Sequence, residues 1–561
     1  MTQPLLECVP NFSEGRDGAA IRRITDAIAS VDGVTLLDVD PGHATNRTVV
    51  TFVGAPEPVL EAAVRGAATA REVIDMRHHH GAHPRFGALD VCPLVPVAGV
   101  SMEETVGYAR ALARRFGDEL GLTVYCYEHS ATRPDRRNLA AVRAGEYEGL
   151  PEKLAKPEWA PDFGPATFDP GFGAVAVGAR DFLIAYNINL NTTSTRRANA
   201  IAFDVRERGR IKRAGDPLTG EIVRDEHGEP VWIPGSLAAV KAIGWYIEEY
   251  GIAQVSMNLT DIGVTPLHIA FDEVCRRADA RGVRVTGSEI VGLIPLRAML
   301  AAGEYFLEKQ QRSLGIPDAE IIKIAVRSLG LDGLGPFDPR EKIIEYRLRD
   351  EAMRRLIDQS VQAFVDTTSS EVPAPGGGSV AALVGALGAA LGTMVANLSS
   401  HKRGWDDRWR EFSDAAVEGK RSVQRLLALV DEDTAAFDAV LAAMRLSKDT
   451  PEERDKRAAA IERATRQATT VPFQVMEAAL ESMVVIGRMA ETGLASSASD
   501  AGVGALCARA AVRGAYLNVL TNASSLTDRG FAEEMLRGGD AMLREAEERE
   551  RAVLAVVEGR R

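Results

Sequence analysis

Over residues 1–328 the apolar positions keep switching between a period of two and a period near 3.6. "LLECVPNFSE" opens as a strand, and residues 17–30 then place Ile21, Ile24 and Ile28 at helical spacing. "GVTLLDVD" and "RTVVTFVG" predict two strands joined by the polar turn "PGHATN". Residues 58–75 predict a second amphipathic helix, "ALDVCPLVPV" a strand, residues 101–116 a third helix and "LTVYCYE" a further strand. A Pro-, Trp- and Gly-containing stretch, 133–173, interrupts this order, which then resumes. "AVAVG" and "FLIAYNINL" predict strands, 194–208 and 236–250 helices, "AQVSMNL" a strand, 266–281 a helix and "VRVTGSEIVGLIP" a strand. The polar segment 209–235 between them is expected to be a surface loop.

The β signal stops at "GLDGLGPFDPREKIIEY", where Gly and Pro punctuate the chain. Beyond it the sequence is rich in Ala, Leu, Glu and Arg with helical periodicity, which predicts a bundle. The expected fold is multidomain: two α/β subdomains, each a sheet with helices on one face, followed by an all-α domain. The boundaries predicted are 1–181, 182–328, a linker at 329–345, and 346–561.

"SVAALVGALGAALGTMVANLS" has the length of a membrane span. Its apolar content is mostly Ala and Gly, and Ala381, Gly385, Gly388, Gly392 and Ala396 form one stripe of small residues. Such a stripe admits the backbone of another helix, so a buried helix explains the run without a membrane. "PAPGGGS" just before it is no phosphate-binding loop, because no Gly-Lys-Ser/Thr follows; Ser379 is expected as the helix cap.

Composition narrows the class. A chain of 561 residues, 46% of them hydrophobic, exceeds what one core holds. The net charge of −13 disfavours broad binding to nucleic acid or an anionic membrane. Cys8, Cys92, Cys126, Cys275 and Cys507 are widely spaced and suggest free buried thiols in a reducing compartment. The N-terminal stretch has neither a basic nor an apolar leader region, so a cytoplasmic location is expected.

Three stretches carry candidate chemistry in the first half. "RHHHGAHPRFGALD" gathers His78, His79, His80 and His83. Gly81 and Pro84 oppose the helix that a His-x-x-x-His metal site would use, so no metal is expected. An acid/base histidine, His83 first, competes with a solvated loop. In "DVDPGHATNR", Asp38 and Asp40 share a sheet face, and one of them would orient or charge-pair a histidine; a turn rich in Asx caps is the alternative. "GPATFDPGFG" brackets Phe168 and Phe172 with glycines, which suits either close approach to a flat ligand or a crossover loop.

In the second half, "RLLALVDEDTAAFDAVLAAM" sets Leu426, Val430, Phe437, Val440 and Met444 on one helical stripe. Asp433 falls on that stripe. A carboxylate there is costly unless partnered or solvated by a cavity, and desolvation would raise its pKa into the range of a general acid/base.

"ECVPNFSEGR", "TNRTVVTFVG", "HHHGAHPRFGALDVCPLVPV" and "PDFGPATFDPGFGAVAVGARDFLIAYNINL" resemble the glutamate formimidoyltransferases. "APGGGSVAALVGALGAALGTMV", "DEDTAAFDAVLAAMRL", "TPEERDKRAAAI" and "GAYLNVLTN" resemble the formimidoyltetrahydrofolate cyclodeaminases. In order and nearly full-length, the chain resembles the bifunctional formimidoyltransferase-cyclodeaminase family. That resemblance implies transfer of a formimidoyl group from N-formimidoyl-L-glutamate to tetrahydrofolate, the co-substrate, and then cyclodeamination to 5,10-methenyltetrahydrofolate and ammonia. It places the transferase histidine on His83 and the cyclodeaminase aspartate on Asp433, with Asp40 as a carboxylate able to support the first step. It places the folate-binding segment on Gly164, Pro165, Ala166, Thr167, Phe168, Asp169, Pro170, Gly171, Phe172 and Gly173. It also implies a homo-oligomer in which the all-α domain dimerises. The run His78–His80 and the long insert at 209–235 depart from the family pattern. A methenyltetrahydrofolate cyclohydrolase in the second half, a scaffold with vestigial sites, and a metalloenzyme built on the histidine loop are the rivals.

Overall fold

The computed structural model describes residues 4–43, 45–81, 85–215, 220–348 and 355–560. The chain divides into two compact units, Met1–Met299 with Leu329–Arg349, and Leu300–Ser328 with Asp350–Arg561.

The first unit opens with β1 (Leu5–Cys8), β2 (Asn11–Phe12), α1 (Gly18–Ala29), β3 (Val34–Gly42), β4 (Arg47–Gly54) and α2 (Pro56–Val73). β5 (Leu89–Ala98), α3 (Met102–Leu120), β6 (Thr123–Glu128), the short α4 (Leu139–Val142) and α5 (Leu150–Leu154), and β7 (Ala174–Ala179) follow. The seven strands form one sheet in which β1 and β2 lie in turn between β4 and β5, β3 flanks β4, and β7 runs parallel between β5 and β6. Ile24 and Ile28 of α1, Val59 and Ala63 of α2, and Leu112 and Phe116 of α3 cover one sheet face together with Leu6, Phe52 and Cys92. Asp17 caps α1, and Ser101 with Glu104 forms a capping box on α3, so both helices begin where their sequence signals lie.

The second sheet is antiparallel, ordered β11 (Val240–Ile247), β12 (Ile252–Leu259), β8 (Ile184–Leu190), β13 (Val285–Val291). It is accompanied by α6 (Thr195–Val205) and α7 (Leu267–Asp279). Residues 236–250 are expected to be helical, but β11 occupies their centre and pairs with β12 over its whole length. Val240, Ala242 and Gly244 face inward at every second position. Gly244 exchanges hydrogen bonds with the Asn199 side chain of α6, at 3.0 and 2.9 Å, and a Cβ there would collide with Asn199 N. The insert 209–235 is likewise not a plain loop. Its described part forms a ribbon of β9 (Arg210–Ile211) and β10 (Trp232–Ile233), extended by bridges Arg213–Ile222 and Arg224–Pro230.

α8 (Leu296–Lys309) and α9 (Asp318–Leu329) carry the chain across the 299/300 and 328/329 boundaries. Residues 300–328 pack with the helical unit rather than with the preceding sheet, in contrast to the expected boundary. Ser313 Oγ bonds Asn397 Oδ1 at 2.6 Å, Lys420 pairs with Asp318 at 2.6 Å, and a Cβ on Gly315 would collide with Ala416. The expected linker is partly structural: α10 (Pro339–Lys342) and α11 (Ile344–Arg347) return to the first unit, where Ile343 and Ile344 are buried.

The helical unit continues with α12 (Val361–Thr368), α13 (Gly377–Ser400), α14 (Trp409–Met444), α15 (Pro451–Thr492), α16 (Ala498–Ser524) and α17 (Arg529–Gly559). α13 is the core helix. A Cβ on Gly388 would stand 2.7 Å from Gly504 O and 3.0 Å from Ala508 N of α16, and one on Gly392 2.7 Å from Ile486 of α15. All five residues of the small stripe are buried. The helix is long and apolar enough to cross a membrane, and its burial against three neighbouring helices accounts for that composition.

Candidate functional site

α2 runs into a single 3-10 turn at Met76–His78, capped by Asp75, whose side chain accepts from Arg77 N. The turn separates the histidines. His78 and His80 are exposed, whereas His79 is only 6% exposed. His79 Nε2 donates to Asn46 O at 2.7 Å, and its Nδ1 is buried with no hydrogen-bond partner. Burial, opposed by that bond, holds its pKa below the usual histidine range. The described histidines of the run therefore diverge rather than converge on one point. His83, the leading candidate, lies outside the described residues, with Ala82 and Pro84.

Downstream, Phe86 N donates to Asp90 Oδ1 at 2.9 Å. Asp90 is fully buried on β5, and its carboxylate holds Arg47 and Arg143, the latter at 3.0 Å. Arg85 O accepts from Tyr147 N at 2.9 Å, and the Arg85 guanidinium pairs with Glu148.

The 164–173 segment lies beside this loop. Met76 N donates to Gly171 O at 2.9 Å, Ala88 N to Phe172 O at 2.7 Å, and Gly87 bridges Gly173. Asp169 Oδ1 accepts from Gly171 N and Phe172 N, an Asx turn that fixes the bend. Gly164 has φ of +78° and approaches Leu122 O where no side chain fits. Gly164, Pro165, Ala166 and Thr167 are exposed, and Phe168 is half-buried with its ring 5.5 Å from that of Tyr147. Phe172 is buried in the core, so it is not the ring available to stack on a flat ligand; Phe168 is.

Asp38 and Asp40 do share an electrostatic neighbourhood on β3. Desolvation and then the charge of Asp38 raise the Asp40 pKa, Lys342 opposes, and Glu289 of β13 adds to it. Asp40 thus sits where the first sheet meets the charges of the second and of α10. Glu7, on β1 and 4% exposed, joins this set unforeseen. Burial pushes its carboxyl up to about 7, against the pull of Arg180 and with help from Glu345. An isolated glutamate in a β strand gives no sequence signal of that kind.

The helical unit holds the second centre. Asp433 is half-buried on α14, and its Oδ2 accepts from Ser379 Oγ at 2.9 Å; Ser379 Oγ also lies 3.2 Å from Thr434 Oγ1. A Cβ on Gly378 would collide with the Asp433 carboxylate, so the glycine run admits it to the first turn of α13. Desolvation raises the Asp433 pKa, and the side-chain and backbone hydrogen bonds of Ser379 restrain the rise. Ser379 is not the helix cap: α13 starts at Gly377 behind Gly376, and the Asp433 carboxylate, from another helix, meets its amides. The stripe does not stay in the core either. Leu426 and Val430 are buried, but Phe437 and Met444 are exposed, because the core-facing positions beyond Asp433 are Ala436 and Ala443.

The two centres, in separate units, agree with comparisons to known proteins. Residues 5–180 match the Formiminotransferase domain, N-terminal subdomain; 185–349 match the Formiminotransferase domain; and 360–540 match Formiminotransferase-cyclodeaminase. The chain is 45% identical over 558 residues to the formimidoyltransferase-cyclodeaminase of Rattus norvegicus, covering 99% of each. It is 44% identical over 308 residues to the glutamate formimidoyltransferase of Thermoplasma acidophilum, covering 54% of this chain and 92% of that protein. It is 39% identical over 189 residues to the methenyltetrahydrofolate cyclohydrolase of Methylorubrum extorquens, covering 34% of this chain and 91% of that protein.

Proposed function

The chain belongs to the formimidoyltransferase-cyclodeaminase family, and on that premise we propose how its residues divide the work. It is a bifunctional enzyme. It transfers the formimidoyl group from N-formimidoyl-L-glutamate to tetrahydrofolate, then cyclodeaminates 5-formimidoyltetrahydrofolate to 5,10-methenyltetrahydrofolate and ammonia.

In the first step N5 of tetrahydrofolate bonds to the formimidoyl carbon, and the bond from that carbon to the glutamate nitrogen breaks. N5 gives up a proton and the leaving nitrogen gains one. A single imidazole near neutral pKa serves both transfers in turn, and His83 is that imidazole. Asp40, its carboxylate in a cluster of charges, stabilises the cationic tetrahedral adduct. The 164–173 segment, held against the histidine loop by Met76 and Ala88, receives the folate, with Phe168 as its ring partner. Neither step is assigned a metal.

In the second step N10 bonds to the same carbon and ammonia departs. N10 loses a proton, and the leaving amine needs one. Asp433 carries it. The observation that supports this most directly is a desolvated carboxylate, with a raised pKa, held at the amide end of α13 by Ser379. The cyclohydrolase reading of the second half is the alternative. It is disfavoured because the cyclohydrolase relative covers a third of the chain, whereas bifunctional relatives cover 99%.

The exposed apolar side chains Leu387, Met394 and Leu398 of α13 and Val503, Leu506, Leu517 and Leu520 of α16 support a homo-oligomer that joins helical units. The enzyme works in the cytoplasm on small, possibly polyglutamylated, folates.

The test follows methenyltetrahydrofolate by absorbance, starting from formimidoylglutamate and tetrahydrofolate and separately from 5-formimidoyltetrahydrofolate. His83→Ala is expected to lose about 10²–10⁴-fold in transfer and keep the second step; Asp433→Ala is expected to do the reverse. A variant that loses both steps, or neither, contradicts the assignment.

A further inference from the structure

The run of histidines holds one that chemistry on the loop does not use. His79 is as buried as a core residue, yet it is polar and makes one hydrogen bond. That bond goes to a main-chain carbonyl, which only accepts, so Nε2 carries the proton. Nδ1 is shut away from solvent and from every hydrogen-bond partner. A ring so placed has no route for a proton and is a poor acid or base.

Its partner is equally committed. Asn46 ends the turn between β3 and β4 at φ +49°, a left-handed conformation that Asn tolerates better than most residues. Its Oδ1 accepts from Gly15 N at 3.0 Å, its Nδ2 donates to His80 O at 3.0 Å, and its main-chain oxygen accepts from His79. Three polar groups of one residue thus join the segment after β2, the β3–β4 turn and the histidine run. Gly81 packs so tightly on Thr45 O that no Cβ would fit. On the far side of residues 82–84, Asp90 holds Phe86 N and Tyr147 N holds Arg85 O.

We propose that Asn46 and His79 are positioning residues for the transferase step, a two-bond latch that fixes the backbone entering the segment that carries His83. This rests on the reading of His83 as the proton carrier. The physical basis is geometric. A short segment clamped at both ends has few conformers, and misplacing a proton-transfer group by about 1 Å costs on the order of 10²-fold in rate. His79 suits the task better than an apolar residue because it fills a buried site and still donates at the far end of its ring.

The experiment uses the full-length enzyme and four variants. His79→Gln keeps a neutral donor near the Nε2 position; His79→Phe keeps a ring and removes the donor. Asn46→Asp keeps the shape and turns the donor facing His80 O into an acceptor. His83→Gln tests the underlying reading. Transferase kcat, both KM values and the pH profile are measured, with the cyclodeaminase rate on supplied 5-formimidoyltetrahydrofolate as the control for folding. Expected are a fall of about tenfold or more in transferase kcat for His79→Phe and Asn46→Asp, with KM values within about twofold. His79→Gln should stay within about threefold of the parent and keep its acid limb at the same pH. The latch is overturned if His79→Phe and Asn46→Asp keep the parent kcat, or if His79→Gln is as slow as His79→Phe. It is also overturned if His79→Gln loses the acid limb, which would make His79 the proton carrier. Retained transfer in His83→Gln instead overturns the His83 assignment alone, and loss of the cyclodeaminase rate in His79→Phe transfers the decision to the near-isosteric Asn46→Asp.

Discussion

Ser379 Oγ donates to Asp433 Oδ2 at 2.9 Å, from the first turn of α13 to the middle of α14. The bond favours the carboxylate over the carboxylic acid, so it restrains a pKa that burial raises. Ser379→Ala removes the restraint. The limb of the cyclodeaminase pH profile that requires ionised Asp433 should then move to higher pH. At neutral pH the rate should fall roughly tenfold, the worth of a hydrogen bond to a charged group. Ser379→Thr keeps a hydroxyl and should behave like the parent. An unmoved limb in the Ala variant would show that Asp433 is not the titrating group.

Glu7 makes a different statement about pH. Its carboxyl titrates near 7 in the folded chain against an ordinary 4.5. Between those values the folded chain holds a proton that the unfolded chain has lost. Its cost to stability is therefore absent below pH 4.5, grows as the pH rises, and is complete above about 7. Glu7→Gln should flatten that slope and raise the stability of the first unit at pH 8, by on the order of 2–3 kcal/mol at most. Urea unfolding of parent and variant at pH 5 and pH 8 measures it; parallel slopes would refute the buried titration.

Gly388 tests the helix packing. A methyl group there faces main-chain atoms of α16 at 2.7 and 3.0 Å, which yield only if the helices part. Gly388→Ala should destabilise the helical unit by about 1–3 kcal/mol and leave the transferase rate intact. A variant with an unchanged melting curve would mean that α13 and α16 lie further apart than described.

Leu387 and Leu398 lie exposed on the same helix, eleven residues and three turns apart. Leu387→Glu with Leu398→Glu should lower the molar mass found by light scattering to that of a smaller assembly. Unfolding should be unchanged, because neither side chain belongs to the core. An unaltered mass would exclude this face of α13 from the oligomer contact.

What the sequence made legible followed local periodicity. Asp433 stood out because Leu426 and Val430 fix the stripe on its N-terminal side, and both are buried. Phe437 and Met444 misled, because a helix can leave its core while the apolar spacing continues; Ala436 and Ala443 took over. Residues 236–250 offer Leu237, Val240 and Ile247 to a helix, and Val240, Ala242 and Gly244 to a strand. Eight residues of pairing with β12 decided between them. Ser379 resembled a cap because the true partner of the α13 amides comes from a residue 54 positions later in the chain. Asn46, His79 and Glu7 have roles set by long-range contacts, and no spacing rule reaches those.

The alternating path of the chain has a practical meaning for how the two activities can be taken apart. The polypeptide changes unit at 299/300, again at 328/329 and a third time at 349/350. No single truncation therefore yields both bodies whole. A fragment ending at 349 carries α8 and most of α9 without the bundle they pack with, and one beginning at 350 lacks that same piece of its own surface. Leu307, Ile321 and Ile322, buried in the intact chain, would be uncovered in the first fragment. An engineered stand-alone transferase would need polar replacements at those three positions, and a stand-alone cyclodeaminase would need residues 300–328 grafted ahead of residue 350.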